Sequence, residues 1–248
     1  MKDEKGYLER MEKSMQEKLF FIEHIDLNNK IVIDFGCADG TLVRKLKDFG
    51  YTNTLWVGVE ANDTFRDQAD EVLNYSFPSL LELYKFMRTR KETDAREVVL
   101  ITSSVLHECG LMLQYDLVNF AQLYCNYWAI RDMYYSLFGY VPALEYWTAI
   151  IKHSNKDQLV SFLEHKRVRM DEERIAEWLL KYRYVDNWET EVKEHYFSTE
   201  WEYILKTKGF TPIYDRAYRN SYIYDTVLAD YGLHVKWNTH RQLILKIN

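Results

Sequence analysis

A short apolar run followed by a glycine-bearing turn and a helix is the feature that most constrains the fold. Residues 30–35 are rich in β-branched side chains, which is typical of a buried strand. Gly36 and Gly40 flank the turn, and residues 41–49 have the apolar spacing of a helix. Glycines here let the backbone turn sharply after the strand and let a ligand approach closely. The segment therefore predicts a strand–loop–helix unit with a ligand-binding loop.

The same alternation of strand and helix continues along the chain. We expect further strands at residues 55–59, a short one at 74–77, then 97–102, 127–132 and 241–247, and helices at 63–73, 80–90 and 112–125. Such alternation is typical of an α/β fold with a doubly wound, mainly parallel, Rossmann-like sheet.

Two segments depart from this alternation. Residues 7–25 have the spacing of an amphipathic helix, so residues 1–27 are assigned to an N-terminal helix. Residues 142–197 show only helical patterns, at 142–153, 156–167 and 171–184, and are interpreted as a helical insert. Ser198 is expected to cap the next helix, which ends near Gly209. Residues 28–141 and 198–248 then form the core, and the insert is expected to cap its ligand-binding edge.

The acids around the glycine turn indicate the kind of ligand. Dinucleotide-binding loops have a third glycine that this turn lacks, whereas Asp34 and Asp39 are present. Carboxylates suit a cationic or hydroxyl-rich ligand better than a diphosphate. Glu60 ends the second strand, where a carboxylate would accept both ribose hydroxyls. The alternative is that Gly36 and Gly40 only form a tight turn and a helix cap.

This combination resembles the class I S-adenosylmethionine-dependent methyltransferases. The Gly-x-x-x-Gly variant of their first motif is matched by Asp34, Gly36, Asp39 and Gly40, and the acid of their second motif by Glu60. The resemblance covers roughly residues 28–135 and 198–248, and the family's third motif has no match.

The resemblance implies a methyltransferase whose cofactor is S-adenosyl-L-methionine. The loop would hold the methionine portion, Asp34 would orient its ammonium, and Glu60 would hold the ribose. The expected cofactor-binding residues are Asp34, Gly36, Cys37, Ala38, Asp39, Gly40, Glu60, Ser103 and Ser104.

Four residues at the ends of two strands are the catalytic candidates. His107 and Glu108 follow the strand at 97–102, and Arg131 and Asp132 close the strand at 127–132. Histidine titrates near neutrality, so His107 could accept a proton while Glu108 holds its other ring nitrogen. The other two are expected to support them. The alternatives are a packed histidine with a helix-capping glutamate, and an internal Arg131–Asp132 ion pair.

Composition narrows the partners. The net charge of −6 gives no overall basic excess for nucleic acid, so we favour methyl transfer to an oxygen or nitrogen atom of a small molecule. One alternative is an RNA or nucleotide methyltransferase that uses basic residues of 166–169 and 181–184. Another is a non-catalytic module that binds S-adenosylmethionine. Oligomeric state is left open.

The remaining sequence features indicate a cytoplasmic protein with no metal and no membrane partner. Cys37, Cys109 and Cys125 are widely spaced and odd in number, which argues against a zinc site or a disulfide framework. Glu191 and His195 share a helical face, but a metal site needs more ligands at closer spacing, so core packing is favoured. The N-terminus has no apolar signal core, and no apolar run is long enough to span a bilayer.

Overall fold

In the structure, a computed structural model that describes residues 14–90, 94–166 and 171–248, strands and helices alternate over most of the chain. The strands are β1 (Ile31–Phe35), β2 (Leu55–Val59), β3 (Tyr75–Phe77), β4 (Val98–Ser103), β5 (Tyr127–Leu137), β6 (Phe210–Tyr218) and β7 (Trp237–Ile247). The α-helices are α1 (Met15–Lys18), α2 (Thr41–Asp48), α3 (Asp63–Ala69), α4 (Leu80–Arg90), α5 (Leu111–Tyr124), α6 (Ala143–His153), α7 (Lys156–Lys166), α8 (Glu172–Lys181), α9 (Trp188–Glu191), α10 (Trp201–Lys206) and α11 (Ser221–Tyr231). Turns of 3-10 helix lie at Phe20–Glu23, Leu106–Glu108 and Val185–Asn187.

The strands form a mixed, mostly parallel sheet in the order β3-β2-β1-β4-β5-β7-β6. β1 pairs in parallel with β2 on one side and with β4 on the other. All five residues of β1 are buried, as expected for a central parallel strand covered on both faces. The chain runs outward from β1 to β3 and then returns to β4, so the strand order reverses between β1 and β4. Ligands of such sheets bind outside the carboxyl ends of the strands at this point. The predicted fold class is confirmed.

The first of two compact units, here called the sheet unit, consists of residues 14–132, Glu200–Asp215 and Gln242–Asn248. Leu46 of α2 packs in its core with residues of the central strands such as Val99. The helix predicted over residues 7–25 lies partly outside the described residues.

The described part of the N-terminal segment forms α1, which tightens into the 3-10 turn at Phe20–Glu23. Met15 and Leu19, two of the apolar residues that predicted a helix, are buried in the core of the sheet unit. Lys18 is also buried, and it lies three residues after Met15 on the same helical face.

The second unit, here called the helical unit, consists of Met133–Thr199 and Arg216–Arg241. Its core is rich in aromatic side chains, and the Trp178 ring meets those of Phe162 and Trp188 edge to face. Over 142–197 the described residues form helices and turns without a strand, and the assignment of this segment as a cap stays a prediction. Among the described residues, no helix combines the length and the apolar character needed to cross a membrane.

Residues 210–231 form β6 and α11, neither of which has a pattern that predicts it from the sequence. β6 is an edge strand with mostly exposed residues and contains Pro212, so it lacks the buried alternation of an ordinary strand. Asn220 begins α11 by accepting a hydrogen bond from the backbone N–H of Ile223 at 3.0 Å.

Several predicted boundaries differ from the structure, among them those at Ser198 and Asp132. Ser198 does not cap a helix, because α10 starts only at Trp201 after the non-helical Glu200, whose N–H donates instead to the Gln114 side chain at 2.9 Å. β5 does not close at Asp132 but runs on to Leu137, so it outlasts β4, whose last residue, Ser103, pairs with Arg131.

A buried ion cluster holds α7 and α8 together in the helical unit. Glu177 is fully buried and meets the ammonium groups of Lys166 and Lys181 at 2.9 and 3.1 Å and the guanidinium of Arg174 at 2.6 Å. The two lysines compete with burial and hold the pKa of Glu177 at about 2. Lys166 and Lys181 are therefore not the solvated phosphate contacts that a nucleic-acid interface would need; residues 167–170 lie outside the described part.

We expect Glu177→Gln to destabilise the protein by roughly 3–5 kcal/mol, because it leaves two buried lysines without their counter-charge. Glu173→Gln is the matched control on the same helix: its carboxylate is exposed and lies 3.7 Å from Arg174, so its loss should change stability by less than about 1 kcal/mol. Urea unfolding of both variants measures the difference. Equal free energies of unfolding for the two variants would contradict this account of the cluster.

Candidate functional site

The loop after β1 is held in an unusual backbone conformation. Gly36 and Gly40 both have φ of 78°, and Ala38 between them has φ of 47°. This left-handed region is costly for residues with a side chain. A Cβ atom at Gly36 would also lie 2.6 Å from Cγ2 of Val105, in the turn after β4. At position 36 the chain can therefore turn only with glycine, and the turn brings the loop beside the end of β4.

Glu60 fastens this loop to the end of β2. One oxygen of its carboxylate accepts the backbone N–H of Ala38 at 3.0 Å, and the other accepts the N–H of Asn62 at 2.8 Å. Each carboxylate oxygen offers about two acceptor sites, so Glu60 can still accept hydrogen bonds from a ligand. The position predicted for a ribose-binding acid is thus next to the glycine loop.

Asp39 and Cys37 have local structural explanations. The Asp39 carboxylate accepts hydrogen bonds from the backbone N–H and the hydroxyl of Thr41 at 3.1 and 2.7 Å, which satisfies donors at the start of α2. Cys37 is buried, and burial raises the pKa of its thiol, so it stays protonated. Neither observation requires a ligand.

Asp34 is different, because it is buried without a hydrogen-bond or ion-pair partner in the described part of the chain. Its exposure is 3%, and no described residue donates a hydrogen bond to its carboxylate. Burial raises its pKa to about 7; the charge of Lys18 opposes the shift, and those of Glu60 and Asp39 add to it. Buried ionised groups are normally paired. Asp34 therefore offers an acceptor, at the switch point of the sheet, that is well placed to receive a cation.

The turn after β4 is organised by Asp132, which is fully buried in β5. One carboxylate oxygen accepts the backbone N–H groups of Leu106 and His107 at 2.7 and 3.2 Å, and the other lies 2.6 Å from Nδ1 of His107. A carboxylate only accepts, so the Nδ1 proton faces Asp132 and the neutral ring carries its lone pair on Nε2. The structure thus brings His107 and Asp132 together as an oriented pair.

Glu108 does not take the place that was expected for it. Its carboxylate lies 3.8 Å from Nε2 of His107, beyond hydrogen-bond distance, and its side chain is half exposed. Asp132 holds the ring instead. The parallel register, which pairs Ser103 with Arg131, is the signal that would have placed Asp132 level with the turn.

Arg131 and the two serines line the same edge. The Arg131 guanidinium donates to the hydroxyl of Ser104 at 2.5 Å and to the carboxylate of Glu17 at 2.7 Å. The Ser103 hydroxyl is buried, and no described residue bonds to it. Lys18, which was not among the predicted site residues, interacts electrostatically with Arg131 and Asp34. Its charge on an otherwise apolar helical face is the signal that could have identified it.

Three groups fit a ligand with an ammonium and hydroxyls: the unpaired Asp34 carboxylate, the acceptor sites left on Glu60, and the orphaned Ser103 hydroxyl. All three belong to the sheet unit: Asp34 is the last residue but one of β1, Glu60 follows β2, and Ser103 ends β4. Their chemistry matches that of S-adenosylmethionine.

Comparison with known proteins identifies the fold. No family profile and no curated protein matches the amino-acid sequence. A solved S-adenosylmethionine-dependent methyltransferase from Anabaena variabilis ATCC 29413 superposes with a TM-score of 0.53, over 96% of this chain and 85% of that one, at 9% identity. Another, from Archaeoglobus fulgidus, gives 0.52 over 97% and 99% at 14% identity.

This chain has the S-adenosylmethionine-dependent methyltransferase fold. At such low sequence identity, the similarity concerns the fold alone. Within the methyltransferase fold, the glycine loop, Glu60 and the His107–Asp132 pair lie at or beside the carboxyl ends of β1, β2 and β4, where ligands of doubly wound sheets bind.

The burial of Asp34 predicts a specific pH dependence of stability. The unfolded carboxyl titrates near 3.8 and the folded one near 7, so between these values the folded state holds the extra proton and stability falls as pH rises. Asp34→Asn removes this loss. Its stability relative to the unsubstituted protein should therefore increase by about 2–3 kcal/mol between pH 5 and pH 8.

Urea unfolding of the ligand-free protein at the two pH values measures this change. Asp67→Asn, at an exposed position, is the control and should show no such trend. A stability difference for Asp34→Asn that is the same at both pH values would show that the carboxyl titrates normally.

Proposed function

We propose that the protein is an S-adenosylmethionine-dependent methyltransferase that acts on an oxygen or nitrogen atom of a small molecule. The observation that carries the proposal is the buried, unpaired carboxylate of Asp34 beside a glycine loop at the switch point of this fold. The donor presents an ammonium, a cationic sulfur and two ribose hydroxyls, which suit the acids here.

The residues of the sheet unit divide the binding work. The loop from Gly36 to Gly40 would pack against the methionine portion, with Asp34 accepting from its ammonium. Glu60 would accept from the ribose hydroxyls while it continues to hold the loop. The buried hydroxyl of Ser103, which bonds to no described residue, would form a hydrogen bond with the ligand. When bound, the donor supplies an electrophilic methyl group on a positively charged sulfur.

His107 would remove the proton from the acceptor, as the orientation of its ring by Asp132 supports. As the acceptor's oxygen or nitrogen lone pair bonds to the methyl carbon, the carbon–sulfur bond breaks and its electron pair stays on the sulfur. The acceptor's proton passes to Nε2 of His107, and the carboxylate of Asp132 stabilises the imidazolium through Nδ1. Most of the rate still comes from holding the reactants in line.

The two alternative functions have less support. The basic segments of an RNA methyltransferase would include Lys166 and Lys181, which are buried against Glu177. A non-catalytic module would have no use for an oriented His107–Asp132 pair. Incubation of the protein with cell extract and methyl-labelled S-adenosylmethionine, followed by mass spectrometry, tests the activity. Appearance of a labelled small molecule supports the proposal, and label found only in RNA, or none at all, contradicts it.

Glu60→Gln is expected to weaken binding of S-adenosylhomocysteine by roughly 1–3 kcal/mol, because one charged acceptor is lost while the side chain keeps its size. Calorimetric titration gives the affinity, and thermal unfolding shows whether the loop is still held. Glu71→Gln, at an exposed position, is the control and should bind as the parent does. Unchanged affinity in a folded Glu60→Gln protein would remove Glu60 from the ribose site.

His107→Asn is expected to lower kcat by roughly 100- to 10,000-fold at saturating donor, with the affinity for S-adenosylhomocysteine preserved, because a general base contributes about that much. Asp132→Asn should lower kcat as well, since the amide no longer stabilises the imidazolium. The exposed His153→Asn is the control. Turnover of His107→Asn within about threefold of the parent would leave positioning alone to carry the reaction.

A further inference from the structure

Lys18 is a buried cation without a hydrogen-bond acceptor among the residues that the structure describes. It ends α1 with an exposure of 7%, and no described residue accepts a hydrogen bond from its ammonium. An ammonium has three donors, and burying it unpaired is costly. Burial lowers the pKa of Lys18 to about 8, with Arg131 adding to the effect.

Asp34 is the complementary group. Its carboxylate is also buried and accepts no hydrogen bond from a described residue, and the charges of Asp34 and Lys18 act on each other. The two nevertheless form no ion pair with each other, so each buried charge lacks a hydrogen-bonded counter-charge among the described residues. The buried carboxylate of Asp34 complements an ammonium, and the buried ammonium of Lys18 complements a carboxylate. A zwitterionic ligand carries both of these groups.

The surrounding charges favour a zwitterion over a simple anion. Asp34, Asp39 and Glu108 all act electrostatically on Lys18 and would repel a phosphate or a lone carboxylate. An α-amino acid carries its ammonium one carbon away from its carboxylate, and so brings its own compensation for Asp34. Arg131 is already bonded to Ser104 and Glu17, which leaves Lys18 as the cation with open donors.

We propose that Lys18 binds the α-carboxylate of the donor's methionine portion while Asp34 binds its α-ammonium. The proposal rests on the proposed function, because it takes S-adenosylmethionine as the ligand. Lys18 and Asp34 then form a clamp that selects an amino-acid end. Ligands that share the adenosine but lack the carboxylate gain nothing from Lys18.

The test compares two ligands on two proteins. S-adenosylhomocysteine carries the carboxylate, and S-adenosyl-3-thiopropylamine is the same molecule without it. Calorimetric titration of Lys18→Met should show S-adenosylhomocysteine weakened roughly 10- to 100-fold, the range of a charge-assisted hydrogen bond. The carboxylate-free ligand should change by less than about threefold. Lys18→Arg should retain most of the preference for the carboxylate.

The control variant is Lys206→Met, which removes one exposed positive charge and should leave both affinities unchanged. Equal weakening of both ligands in Lys18→Met would overturn the proposal in favour of a structural role, and unchanged binding of S-adenosylhomocysteine would also overturn it. If Lys18→Met does not fold, loss of the carboxylate preference in a folded Lys18→Arg protein would overturn it.

Failure of the proposed function has a different signature. In that case the unsubstituted protein binds neither of these two ligands, nor 5′-methylthioadenosine, which lacks the whole amino-acid end.

Discussion

The left-handed turn after β1 is the constraint on which the rest of the site depends. The backbone at Gly36 passes so close to Val105 that a side chain would collide with it. Glu60 holds the middle of the turn through the N–H of Ala38. Three strands are thereby tied together at their carboxyl ends, and the acids at those ends are brought to one place. In a site of this kind the backbone geometry of the strand ends determines where the functional side chains lie.

Two pairs of buried groups within the sheet unit, His107–Asp132 and Asp34–Lys18, differ in whether their charges are hydrogen-bonded. Asp132 is buried but fully engaged, with two backbone donors and a histidine ring, so it fixes its surroundings. Asp34 and Lys18 are buried and not engaged. The hydrogen bonds of Asp132 hold the His107 ring in position for chemistry, whereas the buried charges of Asp34 and Lys18 can be stabilised by a bound ligand.

Much of this arrangement could be predicted from the sequence, since it depends on local patterns. The apolar run of β1, the glycines after it and the acid after β2 each occupy a few residues with a clear spacing. β6 could not be predicted, because an exposed edge strand with Pro212 has no buried alternation to detect. The role of holding the His107 ring was expected of Glu108, whereas Asp132, expected only as a supporting group, performs it. This pairing depends on the register between β4 and β5, which brings Asp132 to the turn from 25 residues away.

The most direct measurement is the titration of Asp34 by carbon-13 NMR, with and without S-adenosylhomocysteine, using Asp34→Asn to assign the signal. In the free protein the carboxyl should titrate near pH 7, as its burial dictates. With ligand bound, an ammonium beside it should hold its pKa well below that value, because an opposite charge favours the ionised form. A titration that the ligand does not shift would contradict the claim that this buried carboxylate is the anchor of the donor site.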